Sequence, residues 1–446
     1  MIKKSLIATS LIASMSSFAA TTISKLTVNP QLYPVGFEKQ LQTNLDFFVD
    51  GVGVSQEAKV PYDTIFVDKK GNIEHANYVN TTEIGLYLNI LVEAHKNGHL
   101  EALSRIHETL DALVMAPTWK GLFYWPYDIE GEQLKPNKDE IVPAVDNANL
   151  AFALAGVAGA YLDSKDNNEQ QVVTKVERIL ENQIDGWSSL YDSGKGLLYS
   201  GWSTKNDAPL AYHIDRKANE SRLAPAWAHL ITQGTENPVP ATAFNKMELY
   251  THDYYLDGKK LTPMLTWDGA YFQGMLSMIW LDERLLIPDF SIIEDMTKVQ
   301  KYHAIHHQIP FVSSSASVDD GYAAYGVPQL SESKVRFNNE IAGGETGTPH
   351  ALALSYMVNP LDAVDLLNSI IDYYPQLETP YGWYDAINSE GATSTKILSL
   401  DQGMFVGAFL SPAINQDVRT YLESKNYYQA LTKMYKTFKP NNSQLR

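Results

Sequence analysis

Seven acidic residues stand near aromatic or glycine residues, as acids that line a sugar-binding cleft commonly do. They are Asp128, Asp146, Glu220, Asp268, Glu345, Asp385 and Asp401. Two carboxyl groups placed across a glycosidic bond, one protonated and one ionised, can break that bond. Burial against aromatic rings raises the pKa of the carboxyl group that must stay protonated. The seven acids therefore indicate sugar chemistry, and the sequence leaves open which of them form the pair.

Residues 381–388 combine both kinds of residue in one stretch. They read Tyr-Gly-Trp-Tyr-Asp-Ala-Ile-Asn, and Asp401 follows in Leu-Asp-Gln-Gly. Aromatic rings stack on pyranose faces, and a glycine lets the backbone turn sharply beside them. A turn whose aromatic residues belong to the core is the alternative interpretation. The position of Asp385 relative to the helices favours a wall of a sugar cleft.

Composition and charge limit the kinds of molecule that the protein is expected to bind. The chain has 446 residues, a net charge of −17 and 44% hydrophobic residues, which is typical of a globular protein with a large core. The negative charge argues against binding nucleic acid and, more weakly, against a polyanionic polysaccharide. There are no cysteines, so disulfides and thiolate metal sites are excluded.

The first 19 residues have the pattern of a secretory signal peptide. Lys3 and Lys4 precede an apolar run over residues 6–15, and Ser17 and Ala19 are the small residues before a cleavage site. No other stretch is apolar enough to cross a bilayer. We expect a periplasmic or secreted protein that is soluble after cleavage. We also expect it to be a monomer without a transmembrane segment.

Apolar residues at helical spacing predict about twelve helices, mostly in pairs joined by short turns. The predicted helices cover residues 37–48, 81–98, 103–116, 146–162, 172–184, 220–232, 267–281, 292–307, 348–357, 361–371, 400–410 and 416–437. Long aromatic loops separate alternate pairs, and no flexible linker divides the chain. The prediction is an all-α fold in one domain over residues 20–446. Its form is a single (α/α)6 barrel, or toroid, with loops and β-hairpins at the cleft end.

Other chemistries have weaker signals. His303 and His307 lie on one helical face, but no acidic third ligand and no His-Glu-x-x-His motif accompany them. The chain also lacks a Gly-x-Ser-x-Gly elbow, a phosphate-binding loop and a dinucleotide fingerprint in the required strand–helix context. We therefore predict no metal and no cofactor.

A series of motifs in this order resembles one known family. The motifs occupy residues 81–88, 121–128, 145–151, 189–201, 220–224, 266–269, 324–328, 382–386 and 401–403. They include Glu-Ser-Arg-Leu-Ala from Glu220, Thr-Trp-Asp-Gly from Thr266 and Asp-Gln-Gly from Asp401. Over residues 60–412 the chain resembles the bacterial glycoamylase-like domain. That domain occurs in β-1,2-glucanases of glycoside hydrolase family 144 and in the ring-closing part of cyclic β-1,2-glucan synthases.

The resemblance implies a single (α/α)6 barrel that cleaves or transfers glucosidic bonds of a β-glucan. It implies that Glu220 is the general acid and Asp385 the general base, and that Asp146, Asp268 and Asp401 bind sugar hydroxyls or order water. Further substrate-binding residues are expected within or beside its motifs: Trp125, Tyr127, Asp128, Arg222, Trp267, Tyr325, Trp383, Tyr384 and Gln402. At Gln273 the chain lacks an acid of the synthase-type pattern, which disfavours a covalent route.

The leading hypothesis is an exported glycoside hydrolase acting on a β-glucan or a bacterial exopolysaccharide through an activated water. The β-1,2 linkage is not assigned with it. One alternative is a polysaccharide lyase, because helical toroids also carry such enzymes. Another is a non-catalytic polysaccharide-binding protein of an envelope or biofilm system. Binding without cleavage would favour the last alternative.

Overall fold

The computed structural model describes residues 21–343 and 345–441. The predicted signal peptide over residues 1–19 lies outside this part of the chain. The α-helices in the described part are α1 (Glu38–Leu45), α2 (Thr81–Lys96), α3 (Leu100–Met115), α4 (Ala144–Tyr161), α5 (Asn167–Asn182), α6 (Ile184–Ser189), α7 (Leu223–Ile231), α8 (Thr242–Asn245), α9 (Tyr271–Met275), α10 (Glu283–Leu286), α11 (Ser291–His307), α12 (Glu332–Phe337), α13 (Pro349–Leu354), α14 (Pro360–Tyr373), α15 (Ser399–Ser424) and α16 (Tyr428–Tyr435). Short 3-10 helices cover Pro30–Leu32, Asp46–Phe48, Glu220–Arg222, Leu276–Ile279, Pro328–Leu330, Ser355–Met357 and Pro375–Leu377.

The helices form two layers that differ in burial. Helix α4 is rich in alanine and buried on nearly all sides, whereas α5 buries only one apolar face. Helices α2, α4 and α15 pack against one another, and each of α2, α4 and α13 packs against the helix that follows it. Gly159 allows α4 to approach α15, since a Cβ there would lie 1.9 Å from the carbonyl oxygen of Asp417. The helical fold class and the pairing of helices are confirmed in this coarse form.

Two predicted helix boundaries are wrong. The predicted break between residues 410 and 416 does not exist, because α15 continues through Pro412. Proline has no backbone N–H, so Pro412 cannot donate to the carbonyl of Ala408. That carbonyl accepts a hydrogen bond from the Ser411 hydroxyl at 2.9 Å instead. The helix predicted from residue 267 begins only at Tyr271. Gly269 has a φ of +82°, and a side chain there would collide with the Val327 backbone.

The strands are short and more numerous than the predicted hairpins. They are β1 (Thr64–Val67), β2 (Ile73–Ala76), β3 (Tyr78–Val79), β4 (Thr118–Trp119), β5 (Leu122–Phe123), β6 (Trp125–Glu130), β7 (Gln133–Pro143), β8 (Tyr191–Asp192), β9 (Leu197–Tyr199), β10 (Gly201–Ser203), β11 (Ala208–Pro209), β12 (His213–Ile214), β13 (Tyr254–Leu256), β14 (Lys259–Leu261), β15 (Ser315–Ala316), β16 (Tyr322–Ala323), β17 (Thr346–Gly347), β18 (Glu378–Thr379), β19 (Gly382–Trp383), β20 (Ile387–Asn388) and β21 (Lys396–Leu398). The largest sheet has the order β11-β10-β7-β6-β3, and two three-stranded sheets have the orders β2-β1-β21 and β12-β9-β8. The others are antiparallel pairs.

One sheet joins distant parts of the chain. Strand β1 pairs antiparallel with β21, with Thr64 opposite Leu398 and Phe66 opposite Lys396. Beyond the last pair, the Ser399 amide donates to the carbonyl oxygen of Asp63 at 2.7 Å. This pairing holds the start of α15 beside the segment that leads into α2.

Buried apolar side chains form one connected cluster from Ile23 to Phe438. The single domain stays a prediction. None of the described helices is both long and apolar enough to cross a membrane.

Candidate active site

Glu220 begins the 3-10 turn that leads into α7. Asn219 caps this turn, since its side chain accepts a hydrogen bond from the Ser221 amide at 3.0 Å. The Glu220 Oε2 atom is buried and has no hydrogen-bond partner. Burial, followed by the negative charges of Asp146 and Asp268, raises the pKa of Glu220 to about 7. A carboxyl group of this kind is protonated near neutral pH and available as a proton donor.

Glu220 lies in the wall of an open cavity of about 880 Å³. Trp267, Val145 and Tyr212 also line this cavity, and Lys195, His213 and Arg216 contribute its cationic and imidazole groups. Trp267 leaves 41% of its surface exposed. A cavity of this size with exposed aromatic rings suits several sugar units.

Asp146 and Asp268 surround Glu220 from two other segments. Asp146 lies in the first turn of α4, where its Oδ1 accepts a hydrogen bond from the Thr82 hydroxyl at 2.7 Å. Burial raises the pKa of Asp146 to about 6. Asp268 accepts a hydrogen bond from Gln273 Nε2 at 3.2 Å, and burial raises its pKa as well. The sequence-predicted acids Asp146, Glu220 and Asp268 therefore interact electrostatically across the cleft.

Asp385 and Asp401 form a second group below the cleft surface with His350, at 1%, 3% and 2% exposure. His350 Nδ1 lies 3.0 Å from Asp401 Oδ2 and 2.6 Å from the Thr348 hydroxyl. Burial raises the pKa of Asp401, and the charge of His350 partly opposes this. Asp385 Oδ2 accepts the backbone N–H of Ala316, and its buried Oδ1 has no hydrogen-bond partner.

The same group is the place where donor atoms for a metal ion converge. One donor atom each from His350, Asp385 and Asp401 lies within 4.8 Å of the other two, and no other such group of three occurs in residues 21–343 and 345–441. This spacing also suits a water molecule that bridges the two carboxylates. The reaction proposed for this site uses no metal ion.

Glu83 and its neighbour Asp63 are acids that the sequence analysis did not identify. The Glu83 amide donates to Asn80 Oδ1 at 3.1 Å, and the Asn80 amide donates to Glu83 Oε2 at 3.0 Å. This is a capping box, in which Asn80 caps α2. Burial and then the charge of Asp63 raise the pKa of Glu83 well above its usual range. The Asn-x-x-Glu spacing was the signal that could have revealed it.

The other predicted sugar-binding residues differ in exposure. Trp125 is 46% exposed, and Tyr325 and Tyr384 are half-buried. The Tyr384 hydroxyl donates to the carbonyl oxygen of Val67 at 2.9 Å. Asp128 lies in β6 and accepts a hydrogen bond from Asn137, and Glu345 is exposed beside β17.

Four predicted substrate-binding residues are buried and make contacts inside the protein. Tyr127 is in the core, and its hydroxyl donates to the Pro117 carbonyl. Trp383 packs against Phe405, and Gln402 donates to the Trp383 carbonyl at 3.1 Å. All three side chains stabilise the structure beneath the cleft, and their contact with a sugar stays a prediction.

Arg222 is the fourth of these buried residues. Its guanidinium has no exposure and forms two hydrogen bonds with Glu283, at 2.8 and 2.6 Å. The remaining donors bind the carbonyls of Asn219, Gln273 and Gly274. All of its hydrogen-bonding capacity is therefore used inside the protein.

Glu220→Gln is expected to stabilise the fold at alkaline pH. The folded-state pKa of Glu220 is raised, so stability from its protonated form is fully present below the unfolded-state pKa and lost as pH rises through about 7. Glutamine has no charge to bury. The urea midpoint of the variant should exceed that of wild type at pH 8 and approach it at pH 5. An equal difference at both pH values, as expected for the exposed control Glu236→Gln, would contradict the assigned environment.

No protein-family model matches the sequence, and no curated protein does. Solved structures with the same fold exist at low sequence identity. An endo-β-1,2-glucanase mutant from Talaromyces funiculosus in complex with β-1,2-glucan matches with a TM-score of 0.76 at 13% identity, over 89% of this chain and 88% of that one. The fold is that of the endo-β-1,2-glucanases.

Two bacterial glucanases have the same architecture. The endo-β-1,2-glucanase of Chitinophaga pinensis, in complex with sophorotriose and glucose, matches with a TM-score of 0.71 at 17% identity, over 90% of this chain and 97% of that one. The β-1,2-glucanase of Parabacteroides distasonis matches with a TM-score of 0.67 at 15% identity, over 90% and 60%. The resemblance predicted from the motifs is confirmed at the level of the fold.

Proposed function

We propose that this protein is a glycoside hydrolase that cleaves glucosidic bonds of a β-glucan, with Glu220 as the general acid. The observation that carries the proposal is the buried, unpartnered Oε2 of Glu220 in a cleft with Asp146 and Asp268. A proton donor for the glycosidic oxygen must be protonated at working pH and free of internal hydrogen bonds. The fold shared with endo-β-1,2-glucanases supports the β-glucan class.

For the general base we propose Asp385, acting on a water molecule through its unpartnered Oδ1. Asp401 is the second candidate. It belongs to the same buried group, with its Oδ2 3.0 Å from His350 Nδ1. A water between acid and base corresponds to the inverting mechanism.

The experiment that tests the function is incubation of the purified protein with β-glucans of different linkage and with the exopolysaccharide of the source organism. Chromatography should reveal shorter oligosaccharides from at least one of them. Binding without cleavage would favour the polysaccharide-binding alternative. Products that absorb in the ultraviolet through an unsaturated end would identify a lyase.

The rate of hydrolysis is expected to fall above pH 7. Because Glu220 must be protonated and its pKa is about 7, kcat/KM should decrease about tenfold for each pH unit beyond that value. The measurement is kcat/KM on the cleaved glucan between pH 5 and 9. A plateau that extends to pH 9 would exclude Glu220 as the acid.

We further propose the complete (α/α)6 barrel in a single domain, with α2, α4, α7, α9, α13 and α15 as its inner helices. The almost complete burial of α2, α4, α13 and the first half of α15 supports this. Export and a monomeric state remain proposals that rest on the sequence. Mass spectrometry of the mature N-terminus and light scattering would test them.

A further inference from the structure

The hairpin formed by β15 and β16 lies between the two groups of acids. Its strands pair Ser315 with Ala323 and Ala316 with Tyr322. No predicted motif includes this hairpin, and Tyr322 was not among the predicted cleft residues. Tyr322 nevertheless has one of the most exposed large aromatic side chains, at 68% exposure.

Several hydrogen bonds fix the hairpin to the segment between Asp385 and Asp401. The Ala316 amide donates to Asp385 Oδ2. The Asp320 carboxylate accepts from the amide and the hydroxyl of Thr395 at 2.7 and 2.8 Å. Lys396 Nζ donates to the carbonyl oxygen of Gly321 at 3.3 Å. The side chain of Tyr322 therefore starts from a backbone position that is held relative to Asp385.

Tyr322 lies opposite Ala316, whose amide contacts Asp385, so the Tyr322 side chain starts beside the second group of acids. It is hydrogen-bonded to Ser314, and the charges of Asp401, Glu220 and Asp268 act on it. Burial of the hydroxyl and these three charges raise the pKa of Tyr322, so the phenol keeps its proton at neutral pH. An exposed ring whose hydroxyl is desolvated is the arrangement expected of a side chain that extends across an open cleft.

We propose that Tyr322 contacts the sugar at the cleavage point and donates a hydrogen bond to a substrate oxygen between Glu220 and Asp401. This inference rests on the proposed function. The phenol does not transfer its proton; it orients the substrate and stabilises charge that develops on an oxygen as the bond breaks. A donor placed there can act on the reacting unit because the Ala316 amide, opposite Tyr322 in the hairpin, binds Asp385, the proposed base.

The test is Tyr322→Phe, which removes one oxygen atom and leaves the ring. Kinetics on the glucan cleaved by wild type should show kcat lowered about tenfold to a hundredfold, with KM within about threefold of wild type. Tyr255→Phe is the matched control, because Tyr255 is 67% exposed on the separate hairpin β13–β14. A value of kcat equal to that of the control would overturn the inference.

A second measurement separates this inference from the proposed function. Calorimetry with a β-glucan oligosaccharide compares binding to wild type, Tyr322→Phe and Tyr255→Phe without requiring turnover. If wild type binds but cleaves nothing, the proposed hydrolase function fails, and weaker binding by Tyr322→Phe alone would still support the sugar contact. Equal binding by all three proteins would overturn the sugar contact in that case. A change in thermal stability without any change in kinetics or binding would assign Tyr322 a purely structural role and also overturn it.

Discussion

Replacing Glu220 with glutamine is expected to lower kcat by about 10²-fold to 10⁴-fold while oligosaccharide binding is retained. Glutamine keeps the shape of the side chain and can still donate a weak hydrogen bond, but it cannot transfer a proton to the leaving oxygen. Oε2 has no partner inside the protein, so no structural hydrogen bond of that atom is lost with the substitution. Product chromatography and calorimetry on the same preparation measure the two effects.

Asp385→Asn should cause a comparable loss if Asp385 is the base. The asparagine amide oxygen can still accept the Ala316 N–H, so the hairpin contact is kept. Asp401→Asn, measured in parallel, compares the two candidates for the base. The exposed Glu236→Gln is the control with an unchanged cleft. Full activity in both Glu220→Gln and Asp385→Asn would end the present assignment of the acid and the base.

Replacing Arg222 with methionine is expected to destabilise the fold by about 3–5 kcal/mol. The substitution leaves Glu283 buried without its counter-ion, although the hydroxyls of Tyr435 and Ser277 still donate to it at 2.7 and 3.1 Å. Hydrogen bonds from neutral groups do not replace a full positive charge. Urea unfolding followed by circular dichroism measures the change in the free energy of unfolding.

Two comparisons make this prediction specific. The double variant Arg222→Met/Glu283→Gln should recover part of the loss, because it removes the uncompensated charge. Arg419→Met breaks the ion pair with Glu423, whose side chains are 45% and 50% exposed, and should leave the free energy of unfolding nearly unchanged. If Arg222→Met instead weakened sugar binding without affecting stability, the buried role described above would be wrong.

Helix positions were predictable because apolar residues repeat at helical spacing over long stretches. The errors arose where a contact with a neighbouring residue changed the helix boundary that the local sequence predicts. Pro412 continues a helix because the Ser411 hydroxyl satisfies the Ala408 carbonyl, and Gly269 delays a helix because the backbone at Val327 lies against it. Neither contact can be read from the residue types alone.

At the site, the acids themselves were easier to predict than the orientation of the side chains next to them in the sequence. Glu220 and Arg222 belong to the same short turn, yet one borders the cleft and the other is enclosed in the core. Trp383 and Tyr384 follow each other in extended backbone, so one ring points inwards and the other outwards. A motif predicts that such residues are close in sequence, and it does not predict which side each of them faces.

Tyr322 and His350 were missed for a different reason. Their relation to the acids depends on contacts between segments that are far apart in the chain, and neither residue stands in a local pattern that suggests chemistry. His350 meets Asp401 across two helices, and Tyr322 belongs to a hairpin whose Ala316 amide meets Asp385. Long-range proximity of this kind requires the assembled fold.

The pairing of β1 with β21 has a consequence for the order of folding. It joins segments more than 300 residues apart, so it can form only when β21 is available to the start of the chain. The same pairing holds Asp63 beside the start of α15, which carries Asp401. A chain emerging from the ribosome would therefore have most of its helix pairs before it has a complete set of acids, and catalytic competence would appear together with closure of the fold.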